Sequence, residues 1–391
     1  MLRIFGDGGG EAPGSAQGSV WTLTGNGALL TYDGASTLTG FQLESIKLRT
    51  TNKSPTVGLN LSHSFVNHLR FVVFEGFGNV ATPLSNATDA RLSSAVDSSA
   101  GLLLSGAYTD SVVTFVFGCS FLHNAIGISS PMENGNMLDI STSYFYTNGY
   151  GIRSGPFFTK WNVRGCNMEG NTLADLYTSG GARGLTYAEN YHEMIPHRPF
   201  IVIDGAGGSP HLNGPVLIEG NTFNGDPGPG RGIIETCGTS GLRVLGNWQG
   251  VSLNASNQWL VRSTCPQGVR TASIERPSGP FDTPGFELVA TLFDGAQTYS
   301  EGLVTLMNQP LAEGGGVRIE GLNNPVIEGT IAAQAATFAS TVRMSGATIF
   351  ATHTPASSSE ACQAGQVAWD EAYVYVCVAA NKWKRTALAS W

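Results

Sequence analysis

The chain has 391 residues and a net charge of −8, and only 13% of its residues are charged, about half of the ~25% typical of soluble domains. This acidic balance argues against nucleic acid or an anionic membrane surface as a partner, because both require a basic patch. We also expect no membrane insertion and no secretory signal, since no apolar run approaches ~18 residues and the first residues lack the apolar stretch of a signal peptide.

Residues 1–37 are rich in glycine and only weakly strand-like. We interpret them as a lead-in or partial cap that precedes the regular part of the chain. From about residue 38 the sequence contains short strand-like stretches that are separated by glycine-rich turns.

A short phrase recurs through the middle of the chain. It consists of an apolar residue, two spacers, a small or polar residue, and a bulky side chain two positions later. The small or polar position is occupied by Cys119, Ser143, Cys166, Asn190, Asn221 and Asn247. The steps between these positions are 24, 23, 24, 31 and 26 residues. A repeat of this length is typical of a solenoid, in which each unit buries its apolar face against the next.

The composition favours strands over helices in each repeat. Glycine accounts for 51 residues and lysine for only five, whereas helical repeats are rich in alanine, leucine, glutamate and lysine. A coil of about 23 residues that returns to the same column predicts an all-β fold, a right-handed parallel β-helix over residues 38–300. Cys119 and Cys166 would then lie two coils apart, roughly 9.6 Å, which is too far for a disulfide.

Three segments carry a resemblance to a known family. They are Gly165–Asn171, Glu189–Glu193 and Ile218–Phe223. They are similar to the coils of pectate-lyase-like β-helix proteins, and in particular to those of bacteriophage tailspikes and tail fibres. The resemblance covers residues 38–260 and implies recognition of a bacterial surface polysaccharide by a virion component.

The C-terminal third differs from the coils. Residues 301–351 contain short alternating stretches without the repeated phrase, and such a segment buries little apolar surface alone. We expect three chains to intertwine there as a trimeric β-prism, which the resemblance also implies. The alternative is an ordinary monomeric β-extension. Residues 352–391 predict a small β-hairpin knob. Within it, a disulfide between Cys362 and Cys377 and a pair of reduced cysteines in a small core are equally compatible with the sequence.

Several classes of active site are unsupported. The sequence contains no GxSxG elbow, no GxxxxGK phosphate loop, no HExxH and no GxGxxG that opens a helix. We expect no cofactor, and no metal, because no row of the coils gathers three or four ligands.

Two glutamates form the candidate catalytic pair. Glu169 and Glu193 both lie three positions after a column residue, which predicts that they are neighbours on adjacent coils. Two carboxyl groups in different protonation states are what glycosidic cleavage requires. The alternative is a pair of solvated surface side chains.

The longest step, between Asn190 and Asn221, predicts an inserted loop. Its candidate substrate-binding residues are Tyr191, His192, His197, Arg198 and Asp204. The loop also contains His211. A second glycine- and proline-rich turn adds Asp226 and Arg231. Aromatic rings stack on sugar faces and arginine pairs with carboxylates. Both loops also fit ordinary turns whose polar groups bond one another.

These expectations combine into a homotrimeric tailspike or tail-fibre protein, which is assembled in the host cytoplasm with other virion tail proteins. If it is an enzyme, a glycoside hydrolase that uses Glu169 and Glu193 is the first hypothesis. A polysaccharide lyase is the second, with Arg198 or Arg183 neutralising a uronate. The rivals are a purely adhesive virion component and an extracellular bacterial lyase.

Overall fold

The computed structural model describes most of the coils and the C-terminal end of the chain. The described residues are 2–7, 18–34, 40–52, 55–78, 99–105, 112–131, 135–155, 158–179, 182–193, 197–204, 214–228, 231–239, 241–250, 259–263, 271–275, 286–287, 303–307, 317–318 and 353–389. They are all strands, turns and irregular segments, and they include no helix with the length and apolar character to cross a membrane. The chain divides into two compact units, residues 1–328 and 329–391.

The first unit consists of three parallel sheets, here named sheets A, B and C. Each coil of the chain supplies one strand to sheet A, then one to sheet B and one to sheet C, and the next coil pairs in register with it. Nine successive coils contribute to all three sheets in the described residues. This all-β arrangement is that of a parallel β-helix-like solenoid.

Sheet A has twelve described strands. They are β1 (Leu2–Phe5), β4 (Phe41–Glu44), β7 (Phe65–Arg70), β10 (Val112–Phe117), β13 (Gly135–Asn136), β14 (Leu138–Ser141), β17 (Phe158–Arg164), β20 (Ala182–Ala188), β23 (Val216–Glu219), β26 (Leu242–Leu245), β29 (Thr271–Glu275) and β31 (Leu303–Met307). Strand β13 lies off the main path and pairs with β17.

Sheet B has nine described strands, and most of them are only three or four residues long. They are β2 (Val20–Leu23), β5 (Lys47–Thr50), β8 (Val73–Glu75), β11 (Ser120–Leu122), β15 (Tyr144–Tyr146), β18 (Asn167–Glu169), β21 (Tyr191–Glu193), β24 (Thr222–Asn224) and β27 (Trp248–Gln249). In a strand of three residues, the middle side chain faces the interior and the outer two face away from it.

Sheet C has eleven described strands and closes each coil. They are β3 (Gly27–Asp33), β6 (Thr56–Ser62), β9 (Ala100–Ser105), β12 (Ile126–Ser130), β16 (Tyr150–Ser154), β19 (Ala174–Ser179), β22 (Ile201–Asp204), β25 (Gly232–Cys237), β28 (Trp259–Ser263), β30 (Phe286–Glu287) and β32 (Val317–Arg318).

The interior is filled by rows of equivalent side chains, one per coil. Under sheet B, the ring of Phe121 stacks on Phe74 at 4.9 Å and on Phe145 at 4.8 Å between ring centroids. The same inward row continues through Met168, His192 and Phe223. These separations match the ~4.8 Å spacing of neighbouring strands, so coil stacking sets the distances between the rings.

The predicted column forms a polar ladder at the bend between sheets A and B. The side-chain oxygen of Asn221 accepts hydrogen bonds from the backbone nitrogen and side-chain nitrogen of Asn190, both at 3.0 Å, and Asn247 does the same for Asn221. These buried amides satisfy backbone groups that a bend leaves unpaired. The prediction that these positions share one column is therefore confirmed.

The residue before each column position has a left-handed backbone. Its φ is +61° at Gly118, +60° at Gly165, +62° at Gly220 and +56° at Gly246. Glycine adopts this conformation without strain, which explains why glycine precedes so many column residues. A second ladder, which the sequence reading missed, links Asn124, Asn148 and Asn171 at the bend after sheet B.

The parallel sheets extend beyond both ends of the expected range 38–300. Strand β1 pairs in register with β4, so residues 2–33 contain the first coil rather than only a lead-in. At the other end, β31 and β32 continue sheets A and C within the segment expected to form a prism. These strands could not be predicted from their glycine-rich and irregular sequence, because they form by pairing with a strand of the neighbouring coil. The rest of the expected prism, residues 301–302, 308–316 and 319–351, lies outside the described residues.

The second unit contains a three-stranded antiparallel sheet in the segment expected to form a hairpin knob. Its strands are β33 (Val367–Trp369), β34 (Tyr373–Ala379) and β35 (Lys382–Ala387). Cys362 and Cys377 form a disulfide, which resolves the alternative that the sequence left open. The bond lies in a small core with Tyr375 and Trp383. In contrast, Cys119 and Cys166 are free, and burial raises the pKa of each thiol to about 12.

Candidate functional site on the outer face of sheet B

The two candidate glutamates lie side by side on the outer face of sheet B. Glu169 on β18 pairs in register with Glu193 on β21, as the sequence spacing predicts. Glu193 is exposed and Glu169 is partly exposed. Adjacent strands bring their backbones within about 4.8 Å, so both carboxylates face the same patch of solvent.

Tyrosine hydroxyls contact both carboxylates. The Tyr144 hydroxyl donates a hydrogen bond of 2.7 Å to Oε2 of Glu169, and the Tyr191 hydroxyl donates one of 3.1 Å to Oε2 of Glu193. Partial burial, followed by the hydrogen bond and charge of Glu169, raises the pKa of Tyr144 above its ordinary value. Tyr144 therefore remains a hydrogen-bond donor across the neutral pH range.

Aromatic rings surround the acid pair. The ring centroids of Tyr144 and Tyr146 on β15 lie 5.7 Å apart. The His123 ring packs edge-on against Tyr146, with 5.4 Å between the ring centroids. Tyr191 and Trp248 expose 37% and 39% of their surface. We call Tyr144, Tyr146, Glu169, Tyr191, Glu193 and Trp248 the acid–aromatic face. Exposed rings beside hydrogen-bonding groups suit a polar ligand with flat apolar faces.

The positions of these aromatic residues follow a rule that the sequence contains. Tyr144, Tyr191 and Trp248 each lie one position after a column residue, and the sheet aligns them in one row with Ser120, Asn167 and Thr222. The two glutamates lie in a row three positions after the column, and this second outward row lies one position after it.

His192 lies in the core, although its neighbours Tyr191 and Glu193 face outward. Its side chain is completely buried, and Nδ1 contacts Oδ2 of Asp175 at 2.8 Å. Because an ionised carboxylate only accepts hydrogen bonds, Nδ1 carries the proton and donates. The His192 ring packs 4.8 Å from Phe223 and 5.2 Å from Phe200.

Arg198 belongs to the same buried cluster. One guanidinium nitrogen donates to Oδ1 of Asp175 at 3.1 Å, and the other donates to the carbonyl of Pro199 at 3.1 Å. Asn171 adds a third contact to Asp175 at 2.8 Å. This placement corrects the expectation that His192 and Arg198 contact a glycan, because both are enclosed by protein and already paired.

Burial and charge act in opposite directions within this cluster. Burial tends to raise the pKa of Asp175, but the Arg198 guanidinium and His192 outweigh it and hold that pKa below its usual value. For His192, burial is the larger effect and lowers the pKa despite the neighbouring carboxylate. The cluster thus consists of an ionised aspartate, a charged arginine and a neutral histidine. It stabilises the coils and does not face solvent.

Asp204 and Asp226 accept hydrogen bonds from other partners. Asp204 is on β22 in sheet C and accepts a hydrogen bond of 3.2 Å from the Tyr177 hydroxyl. Asp226 accepts a bond of 2.7 Å from the backbone nitrogen of Gly228, so it stabilises its own turn.

His197 and Arg231 contact other parts of the coils. His197 is exposed and lies against Gly228. Arg231 forms an ion pair with Glu235, with a distance of 3.0 Å from Nε to Oε1. Among the described residues proposed for glycan binding, Tyr191 is the one whose side chain hydrogen-bonds to a member of the glutamate pair.

Two further candidates are not described by the structure. His211 lies outside the described residues, and the side chain of Arg183 is not among those described. Within the described residues, no group of three histidine, cysteine, aspartate or glutamate side chains is arranged to hold a metal ion.

Comparison with known proteins identifies no relative. No protein-family model, no curated protein and no solved structure matches the chain. The function therefore has to be argued from the geometry of the outer face.

Proposed function

We propose that the chain is a bacteriophage tailspike or tail-fibre protein that recognises a bacterial surface polysaccharide on the acid–aromatic face. The observation that carries this proposal is the exposed Glu169–Glu193 pair, flanked by tyrosines that donate to both carboxylates. A polysaccharide offers repeated sugar faces for the aromatic rings and hydroxyl groups for the carboxylates. A rigid sheet holds these contacts in place without further ordering on binding.

The assembly in this proposal is a homotrimer of right-handed solenoids, located in the virion tail with other tail proteins. Crossover connections between parallel strands are right-handed in nearly all known sheets, which supports the handedness. The β-prism expected near residues 301–351 would join the three chains. The rival location is extracellular, as a secreted bacterial protein.

The acid pair supports glycoside hydrolysis as the enzymatic form of the proposal. Retaining glycosidases hold their two carboxyl groups about 5–5.5 Å apart, and side chains on adjacent strands can approach this spacing. One carboxyl group would protonate the leaving oxygen and the other would attack the sugar. The lyase alternative loses one of its two candidate arginines, because Arg198 is sequestered by Asp175.

A non-enzymatic, adhesive role uses the same face. The extensive exposure of Glu193 and its hydrogen bond from Tyr191 fit a binding contact as well as a catalytic one. Glu169→Gln and Glu193→Gln separate the two roles, because each removes a charge and preserves most hydrogen-bonding capacity.

The test uses purified capsular and lipopolysaccharide glycans from a panel of bacteria. Binding is measured by biolayer interferometry, and cleavage is measured by the appearance of reducing ends. The control variant Glu219→Gln changes an exposed glutamate on sheet A. Cleavage that is lost in both variants with binding retained supports hydrolysis, and binding without any cleavage in the unmodified protein supports adhesion. Binding and cleavage that are both unchanged in the two glutamine variants contradict a role for this face.

A further inference from the structure

A separate groove lies on the outer face of sheet A, on the strands β7, β10 and β14. Its volume is about 580 Å³, within the range of small-ligand sites. We call it the phenylalanine groove. Its main lining residues are His68, Arg70, Phe71, Phe115, Phe117 and Asp139.

Four aromatic rings form the walls of this groove in two pairs. His68 and Phe115 stack at 5.0 Å with an interplanar angle of 11°, and Phe71 meets the edge of Phe117 at 5.6 Å. The outer faces of β7 and β10 thus present large apolar surfaces to solvent, with Phe71 and Phe117 exposed by 48% and 42%. A contiguous exposed apolar patch is characteristic of a binding site.

The position of Phe71 is set by a glycine on the next coil. A Cβ atom on Gly118 would lie 2.7 Å from the Phe71 ring, and the φ of Gly118 is +61°. The ring therefore rests against bare backbone at the end of β10. The Phe71 ring thus contacts Gly118 and packs edge-to-face against Phe117.

The described lining of the groove includes one arginine, Arg70, and one carboxylate, Asp139. The Arg70 side chain is exposed and forms no ion pair with the described residues. Burial, and then the charge of Arg70, lower the pKa of His68, so the neighbouring imidazole is neutral at pH 7. On the opposite side, Asp139 accepts a hydrogen bond of 3.1 Å from Asn162.

We propose that the phenylalanine groove binds a carboxylated sugar residue, such as a uronic acid unit of an acidic glycan. The guanidinium of Arg70 pairs with the carboxylate, for which its planar donors are suited. The rings of Phe115 and Phe117 cover the apolar face of the sugar. The inference rests on the proposed function for the identity of the ligand as a glycan, but it concerns a different sheet from the acid–aromatic face and involves no cleavage.

The main rival occupant is a second copy of the chain, since exposed phenylalanines also suit a protein interface. The concave shape and the unpaired guanidinium favour the acidic sugar, because burial of Arg70 in a protein interface without a carboxylate partner would be costly. The experiment distinguishes the two occupants.

The probes are galacturonate oligosaccharides and neutral maltose oligosaccharides of equal length, titrated calorimetrically into the full chain. We expect the acidic probe to bind at least tenfold more tightly than the neutral one, and to bind more weakly as salt is raised. Arg70→Gln should lower the affinity for the acidic probe at least tenfold, and Phe117→Ala should lower that affinity comparably. The matched control Arg164→Gln, at an exposed arginine on β17, should have no effect.

The result can overturn this inference independently of the proposed function. Equal binding of the two probes, no binding of the acidic probe, or an unchanged affinity in Arg70→Gln contradicts it. A drop in molar mass of Phe117→Ala in light scattering, without a change in probe affinity, assigns the groove to self-association instead. Galacturonate binding that depends on Arg70 but not on Glu169 or Glu193 supports the groove even where the acid–aromatic face proves inactive.

Discussion

Two groups of charged residues lie close together in the sequence and face opposite directions. On β21, His192 points into the solenoid towards Asp175 and Arg198, whereas Glu193 points to solvent beside Glu169. The residue types are those of an active site in both places. Only the outer group is accessible to a ligand, so the side of the strand decides which group can have a function.

The energetic consequences of the two environments differ. A buried charge that loses its partner costs several kcal/mol, because nothing else solvates the charge that remains. An exposed charge is solvated by water, and its loss changes stability by less than about 1 kcal/mol. We therefore expect stability effects to concentrate in the buried cluster and binding effects to concentrate on the acid–aromatic face.

The largest effect is expected from Arg198→Met. The substitution leaves the Asp175 carboxylate buried without its cationic partner, and should lower the free energy of unfolding by about 3–5 kcal/mol. Urea denaturation followed by circular dichroism measures this change. Arg164→Met, at an exposed arginine, is the matched control and should change stability by less than about 0.5 kcal/mol. Equal effects of the two substitutions would show that the cluster is not a stabilising element.

The asparagine ladder gives the next largest effect. Asn221→Ala removes the bonds to the Tyr187 carbonyl and to Asn247, and leaves buried backbone groups unpaired. We expect a loss of about 2–4 kcal/mol, since each unsatisfied buried group costs about 1–3 kcal/mol. Asn224→Ala, three residues later on the outer face of sheet B, should cost under about 1 kcal/mol. A small loss for Asn221→Ala would contradict the structural role of the ladder.

The pH dependence of stability reports on His192. In the unfolded chain, His192 becomes protonated as the pH falls below the ordinary histidine pKa of 6.5. In the folded protein it stays neutral, because burial lowers its pKa. The unfolded state then binds more protons, so stability falls with decreasing pH by up to about 1.4 kcal/mol per unit. The lowered pKa of Asp175 acts in a separate window, below its ordinary value of 3.8.

Urea midpoints at pH 7, 6 and 5 measure this dependence. His192→Gln removes the titrating group and should flatten the profile, even though the variant is less stable at pH 7. His123→Gln, on the outer face, should retain the slope of the unmodified protein. A slope that His192→Gln leaves unchanged would place the acid sensitivity elsewhere.

The smallest effect is expected on the acid–aromatic face. Tyr144→Phe removes only the hydroxyl that donates to Glu169, and should lower stability by about 1 kcal/mol or less. Differential scanning calorimetry measures the shift, which should be no more than a few degrees. A much larger loss would indicate that this face maintains the fold rather than contacting a ligand.

Much of the architecture could be predicted from the sequence because bends have local chemistry. Glycine and asparagine recur where the backbone is left-handed and where amides form ladders, so the column from Cys119 to Asn247 was found directly. The alignment of Glu169 with Glu193 followed from the same spacing.

The incorrect predictions concern residues whose environment depends on contacts between neighbouring coils. His192 occupies the inward row of Phe145 and Phe223, and the period of two along each strand contained this information. The burial of Arg198 depends on Asp175, 23 residues away, which no spacing rule indicates. The outward positions of Phe115 and Phe117 could not be predicted from the sequence, because the only polar residue of Val112–Phe117, Thr114, lies on the buried side and apolar residues lie on both sides.

The most direct test of the account compares His192→Ala with Glu193→Ala, two truncations at neighbouring positions of one strand. Unfolding free energy and polysaccharide binding are measured on both variants. We expect His192→Ala to lose about 3–5 kcal/mol of stability, up to complete failure to fold, and Glu193→Ala to keep its stability within about 1 kcal/mol while losing glycan binding or cleavage. A stable His192→Ala variant that no longer binds, or a Glu193→Ala variant that binds normally but loses several kcal/mol of stability, would contradict the assignment of structure to the inside and function to the outside.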